Sequence, residues 1–255
     1  MKRFVLSITF CAGSVFAQDA AAIVQAAKDR IHTETESSRS RMVITAKNGS
    51  TSERVIDQYS KDDANGYARA VIMFQSPATV RGTRFLSIDN ASGKSDQWIF
   101  LPNVGKVRRI ASSESGGNFM GTDFSYDDMS VDREVDRDTH TILREETLDG
   151  NMCYVIQSVP KDSGDFQYSK TIAWIDKANY RTYKREMYDK RGTVEKLMEI
   201  SGYRDVQGQD TPMQTKLSTI VAGTSTTIYI DIIKYNDPIP EGVFTTAYLE
   251  TGRVR

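Results

Sequence analysis

A mainly β fold of the α+β class is predicted: one curved antiparallel sheet forming an incomplete barrel, covered by an N-terminal helix and a lid loop. Three observations predict it. From Ser40 to Tyr235 apolar residues recur mostly with period two; turn pairs such as Asn48-Gly49, Asn65-Gly66, Asp149-Gly150 and Arg191-Gly192 punctuate the chain at short intervals; one early segment alone has helical spacing. The 255 residues, 39% hydrophobic and 26% charged, suit a folded domain with a core and exclude a fibre, a disordered tail or a polytopic membrane protein. A net charge of −1 without a Lys/Arg run lacks the electrostatic footprint of a nucleic-acid binder. Two histidines and two cysteines leave little material for metal or histidine-based catalysis.

Lys2 and Arg3, the apolar stretch Phe4–Cys11 and the small residues before Gln18 predict a secretory signal peptide over residues 1–17, cleaved after Ala17, with 18–255 as one half-barrel domain in the periplasm. Cleavage removes Cys11 and leaves Cys153 without an internal disulfide partner. A competing expectation takes Ile8-Thr9-Phe10-Cys11 as a lipobox and Cys11 as a lipid anchor, against which stands the bulk of Phe10.

The helix is expected from Asp19, as N-cap, to about Thr35, with Ile23, Val24, Ala27 and Ile31 on one face. Strands follow around Met42–Ala46, Val55–Tyr59, Ala68–Gln75, Thr83–Asp89, Asp96–Leu101 and Lys106–Ile110, with a turn at Asn90-Ala91-Ser92-Gly93. In the third, Ala68, Ala70, Ile72 and Phe74 share one face, and Arg69, Val71, Met73 and Gln75 the other. Alternation stops between Ser112 and Asp138, a Gly-, Ser- and Asp-rich stretch that still holds Phe119, Met120, Phe124, Tyr126 and Met129; a loop with so many large apolar groups is expected to lie against something. Strands resume at His140–Leu148, Met152–Val159, Tyr168–Asp176, Tyr180–Tyr188, Val194–Tyr203, Gln214–Val221 and Ser225–Tyr235.

Catalytic constellations are not legible. The acids Asp123, Asp127, Asp128, Asp132, Glu134, Asp136 and Asp138 lack EF-hand spacing and are expected to form a solvated loop. Cys153 sits mid-strand as a small hydrophobe, and neither His32 nor His140 has a companion at ligand spacing. No enzyme, cofactor or metal is expected. A sheet with one dry face under a cover can instead enclose an apolar cavity, and each buried methylene of an acyl chain is worth about 0.8 kcal/mol.

Gly93-Lys94, Trp98-Ile99-Phe100-Leu101-Pro102, Gly105-Lys106-Val107-Arg108-Arg109-Ile110 and the block Phe119-Met120-Gly121-Thr122-Asp123-Phe124-Ser125-Tyr126-Asp127-Asp128 resemble the outer-membrane lipoprotein-sorting protein family, the branch of bacterial periplasmic proteins related to the carrier LolA. The resemblance spans most of the chain after the leader. It implies an incomplete β-barrel with a helical lid, a cavity for lipid-modified cargo and no cofactor. Partners would be acyl chains of lipids or lipoproteins, an inner-membrane transporter of ABC or RND type and an outer-membrane acceptor. In LolA carriers an arginine on a strand beneath the lid bonds to lid backbone; Arg69 is the nearest positional match, with a solvent-face role as its alternative. The expected cavity residues are Met42, Ile44, Ile72, Phe74, Trp98, Phe100, Ile228, Ile230 and Ile232, with Ile23, Val24, Ala27, Phe119, Met120 and Phe124 as cover. The function expected is a periplasmic carrier moving acyl cargo between inner and outer membranes. A non-carrying interaction module on an RND-type pump or envelope complex is the second expectation.

Overall fold

The computed structural model describes residues 19–91, 95–129, 135–162, 164 and 166–254. The leader with Cys11, the turn residues Ser92, Gly93 and Lys94, and the acids Asp132 and Glu134 lie outside the described residues.

Helix α1 (Ala20–Lys28) starts where Asp19 accepts a hydrogen bond from the Ala21 N–H at 3.1 Å. It stops seven residues short of the expected Thr35, because Thr35 already belongs to β1 (Thr35–Thr45). The Ser- and Arg-rich start of β1 has little apolar periodicity, but its backbone is paired on both sides along nearly its whole length, and those ladder bonds hold it extended.

The strands are β2 (Thr51–Asp62), β3 (Ala68–Ser76), β4 (Arg84–Ile88), β5 (Asp96–Leu101), β6 (Lys106–Arg109), β7 (Asp138–Leu148), β8 (Asn151–Pro160), β9 (Lys170–Asp176), β10 (Thr182–Tyr188), β11 (Val194–Ser201), β14 (Gln214–Thr219) and β15 (Thr224–Tyr235). With β1 they form one 13-stranded antiparallel sheet in the order β6-β5-β4-β3-β2-β1-β15-β14-β11-β10-β9-β8-β7. The return of β15 to β1 folds two meanders into one sheet, and β6 and β7 remain as edges, so the barrel is not closed. A separate hairpin, β12 (Arg204–Val206) and β13 (Gln209–Thr211), lies inside a stretch where the sequence predicted no strand.

One apolar cluster joins Ile99 of β5, Phe85, Phe74, Ile72, Ile56, Met42, Leu217 and Met187 of β10 with Phe119 and Phe124 of the loop after β6. Laid flat, the nine strands from β5 to β10 would spread over about 38 Å. One short loop bonds both to Gln97 of β5 and to Lys196 of β11 because the sheet wraps round it, which makes this the concave face. Helix α1 covers the β7–β9 wing of that face through Ile23, Val24 and Ala27 on Ile156, Ala173 and Ile175.

The convex face carries a second layer that the sequence did not reveal. After β15 the chain turns back as a 3₁₀ turn (Glu241–Phe244) and helix α2 (Thr246–Thr251), laying Ile239, Val243, Phe244, Tyr248 and Leu249 on Val71 and Leu86. Thr245 caps α2 by accepting from the Tyr248 N–H, Gly252 ends it in the left-handed conformation, and Arg84 donates to the Leu249 carbonyl at 2.6 Å.

Candidate functional site

The concave wall is built by strand alternation. Met42, Ile72 and Phe74 lie on it fully buried, and Ile228 packs at its margin. Trp98 and Phe100 do not. Their strand presents Gln97, Ile99 and Leu101 inward, so both rings lie on the convex face beneath the C-terminal segment. The expectation was one residue out of register, which turns a whole strand over. Ile232 also fails as a lining residue, being 56% exposed. A bulge on β15 pairs Arg39 with Ile232 but Ser40 with Ile230, leaving Asp231 extra and reversing the alternation beyond it, so that Ile233 and Tyr235 turn in. Ile44 is half-buried outside the main cluster, and Ile230 borders a small cleft of about 300 Å³ with Arg41, Met213 and Asp231.

The wall is occupied by the chain itself. Between Ile110 and Met129 the loop crosses the concave face as a plug, with Phe119 wholly buried at its centre. The Phe119 ring sits 5.1 Å from Phe85, 5.5 Å from Tyr126 and 5.8 Å from Phe74, centroid to centroid. The plug folds on itself: the Phe119 N–H donates to Phe124 O at 2.7 Å, and Met120 and Gly121 both take positive φ to turn the chain between them.

Polar clasps hold this apolar plug down. Asp123, expected in a solvated loop, is buried, and its carboxylate accepts from the hydroxyls of Thr219, Thr224 and Thr226 at 2.5–2.7 Å. The Asp128 side chain, 6% exposed, accepts from the Lys196 ammonium at 2.8 Å, the Tyr168 hydroxyl at 2.9 Å and the Gln167 amide, and from the Ser125 N–H. The Tyr168 phenol is pushed far above its usual range, first by burial and then by that carboxylate. Gln97 donates to the Tyr126 carbonyl at 2.8 Å. Arg54 of β2 donates to the Met120 carbonyl at 2.6 Å, with its guanidinium 5.8 Å from the Phe74 ring centroid. Burial lowers the guanidinium's pKa.

Arg54 therefore has the contact that the sequence assigned to Arg69. Arg69 alternates to the convex face, pairs with Glu241 at 2.7 Å and stacks 5.0 Å from the Phe244 ring centroid, where it holds the C-terminal segment. Sequence reasoning missed Arg54 and the threonine clasp. Their signal was available: Arg54 is two residues before Ile56 on an alternating strand, and Thr219, Thr224 and Thr226 cluster about one hairpin.

Among the described residues no group of three His, Cys, Asp or Glu side chains is placed to hold a metal, and no helix is long and apolar enough to cross a membrane. Cys153 is buried and its thiol is raised to about 11, mainly by burial. A polar cleft of about 680 Å³ at the β2–β3 turn, lined by Lys61, Asp63, Arg69 and Glu241 among others, is separate from the plug.

An open, curved antiparallel sheet with a loop bedded on its concave face defines the class, an incomplete β-barrel of LolA-like fold. The chain superposes on a DUF1329 family protein from Desulfovibrio piger with TM-score 0.86 and 26% identity, covering 90% of this chain and 97% of that one. An outer membrane lipoprotein-sorting protein domain from Vibrio parahaemolyticus gives 0.84 and 26%, over 91% and 98% of the two chains. A LolA superfamily protein from Nitrosomonas europaea shares the fold at TM-score 0.74 and 21% identity, over 91% and 100%. No curated protein sequence matches significantly. A family model described as "Uncharacterized protein" matches residues 66–251, and the chain belongs to this family.

Proposed function

We propose that this protein is a periplasmic carrier for acyl chains of lipids or lipoproteins, seen with its lid closed. The observation that carries the proposal is the plug: an aromatic loop lies on a curved apolar wall and is latched there by polar bonds, among them Arg54 to lid backbone. An acyl chain would take the place of Phe119, Met120, Phe124 and Tyr126. Sheltering ten methylenes is worth about 8 kcal/mol, and exposing each large apolar plug residue costs about 1.5–3 kcal/mol. The two sums are of one order, as reversible loading and unloading require. Met42, Ile72, Phe74 and Ile228 would meet the cargo, with Ile23, Val24 and Ala27 covering the adjoining wing. An N-terminal leader would deliver the protein to the envelope, where an inner-membrane transporter of ABC or RND type and an outer-membrane acceptor would be its partners.

The filled concave face favours a second reading, an interaction module that carries nothing. Organic extraction of purified protein followed by mass spectrometry, together with titration by a fluorescent fatty acid, separates the two. Co-purifying acyl species or saturable uptake supports the carrier; absence of both supports the module.

A further inference from the structure

Among the described residues, exposed large apolar side chains are scattered except at one hairpin tip. The β14–β15 turn presents Ile220 and Val221 side by side, 49% and 84% exposed. Sheet order places the β1–β2 turn with Lys47 on one side of it and the β10–β11 turn with Lys190 and Arg191 on the other. The Lys47 stem lies against Gly223, within 3.4 Å of where a Cβ would stand, so the two turns touch. Further along the same rim, Arg81 lies in the β3–β4 connection, and Lys106 beside Val104, itself 58% exposed, at the β5–β6 turn.

The acids beside the tip are Asp189, Glu195 and Glu53, the last 3.7 Å from the Arg41 guanidinium. The Asp189 carboxylate is taken up by the N–H groups of Arg191 and Thr193, Glu195 stands on the strand beside Ile220, and Asp136, Asp138 and Asp162 lie at the far β7–β9 end of the rim. Turns at the opposite rim carry both signs, with Asp63, Asp149, Asp205 and Asp237 beside Lys177, Arg181 and Arg204.

We infer that the rim bearing Ile220, Val221, Lys47 and Arg191 docks on an anionic lipid bilayer. A four-residue turn is convex and narrow, a poor match for a flat protein interface and a good one for headgroup penetration, while flanking cations meet lipid phosphates. The position matters because the tip is bounded by Thr219 and Thr224, two of the threonines that clasp Asp123. The surface that meets lipid is also the surface that holds the plug. The inference stands whether or not the concave face carries cargo.

Flotation of the purified protein with vesicles of phosphatidylglycerol and phosphatidylethanolamine, beside vesicles of phosphatidylcholine alone, tests it. Wild-type protein floats with the anionic vesicles, less so in high salt, and not with phosphatidylcholine. Val221→Asp lowers the bound fraction about tenfold, and Lys47→Ser or Arg191→Ser about fivefold each. Met152→Asp, at an exposed residue on the opposite rim, binds as wild type. These side chains are exposed, so unchanged circular dichroism confirms that each variant folds. The inference is overturned if wild type ignores anionic vesicles, if phosphatidylcholine binds equally well, if Val221→Asp binds as wild type, or if Met152→Asp loses as much.

Discussion

Asp123→Ala is the most informative single change. The carboxylate is 4% exposed and accepts three hydroxyl hydrogen bonds, which tie the plug to β14 and β15. A bond to a charged acceptor contributes about 1.5–3 kcal/mol, but burying the carboxylate offsets part of the sum. Thr219 and Thr224 are half-exposed and can turn to water, whereas Thr226 is wholly buried and keeps only the backbone N–H of residue 123. A net loss of about 3 kcal/mol follows from the low end of that range. For a chain of this size it corresponds to a fall in melting temperature of about 6–12 °C. Thermal unfolding by circular dichroism reads the total, and amide hydrogen exchange across residues 117–126 shows whether the plug loosens before the sheet. Thr219→Val and Thr224→Val should each reproduce about a third of the effect. A fall below about 2 °C with unchanged exchange in the plug would refute the clasp.

Arg54→Met exchanges a partly buried cation for a flexible apolar chain; relief of charge burial offsets the lost bond to Met120, so stability should move by no more than about 1 kcal/mol. Its expected signature is faster exchange at Met120–Phe124 and quicker uptake of a fluorescent fatty acid, and unaltered uptake kinetics would remove Arg54 from the latch. Phe119→Ala should cost about 3–5 kcal/mol by denaturant titration while raising affinity for the same probe; a stability loss with no gain in affinity would make the ring core alone. Glu241 has its carboxyl held down to about 2, first by its hydrogen bond to Arg69 and then by Lys61. A depressed folded-state value stabilises above about pH 4.5, and that contribution is lost as pH falls towards 2. In wild type, Trp98 under the C-terminal segment should therefore become more solvent-exposed through this window, and Glu241→Gln should remove that step from a fluorescence titration.

Period-two alternation and turn residues, read along the chain, were enough to define a meandering antiparallel sheet, because side-chain direction on a strand and backbone freedom at Asn-Gly and Asp-Gly turns are local properties. The apolar content of the loop at Phe119–Met129 was local too, and it marked the plug. What lay beyond local reach was anything set by pairing between distant segments. The bulge at Asp231 exists only where β15 meets β1, and it decides that Ile233 and not Ile232 is buried. The strand holding Trp98 had two faces of similar hydrophobicity, and the C-terminal segment, about 140 residues later, determined which was convex. Asp123 and Asp128 looked like solvated acids because carboxylates usually are. Threonines nearly a hundred residues away and the ammonium of Lys196 made their burial possible, and Arg54 displaced Arg69 as the latch because strand parity, together with the side on which the plug lay, put one inside and the other out.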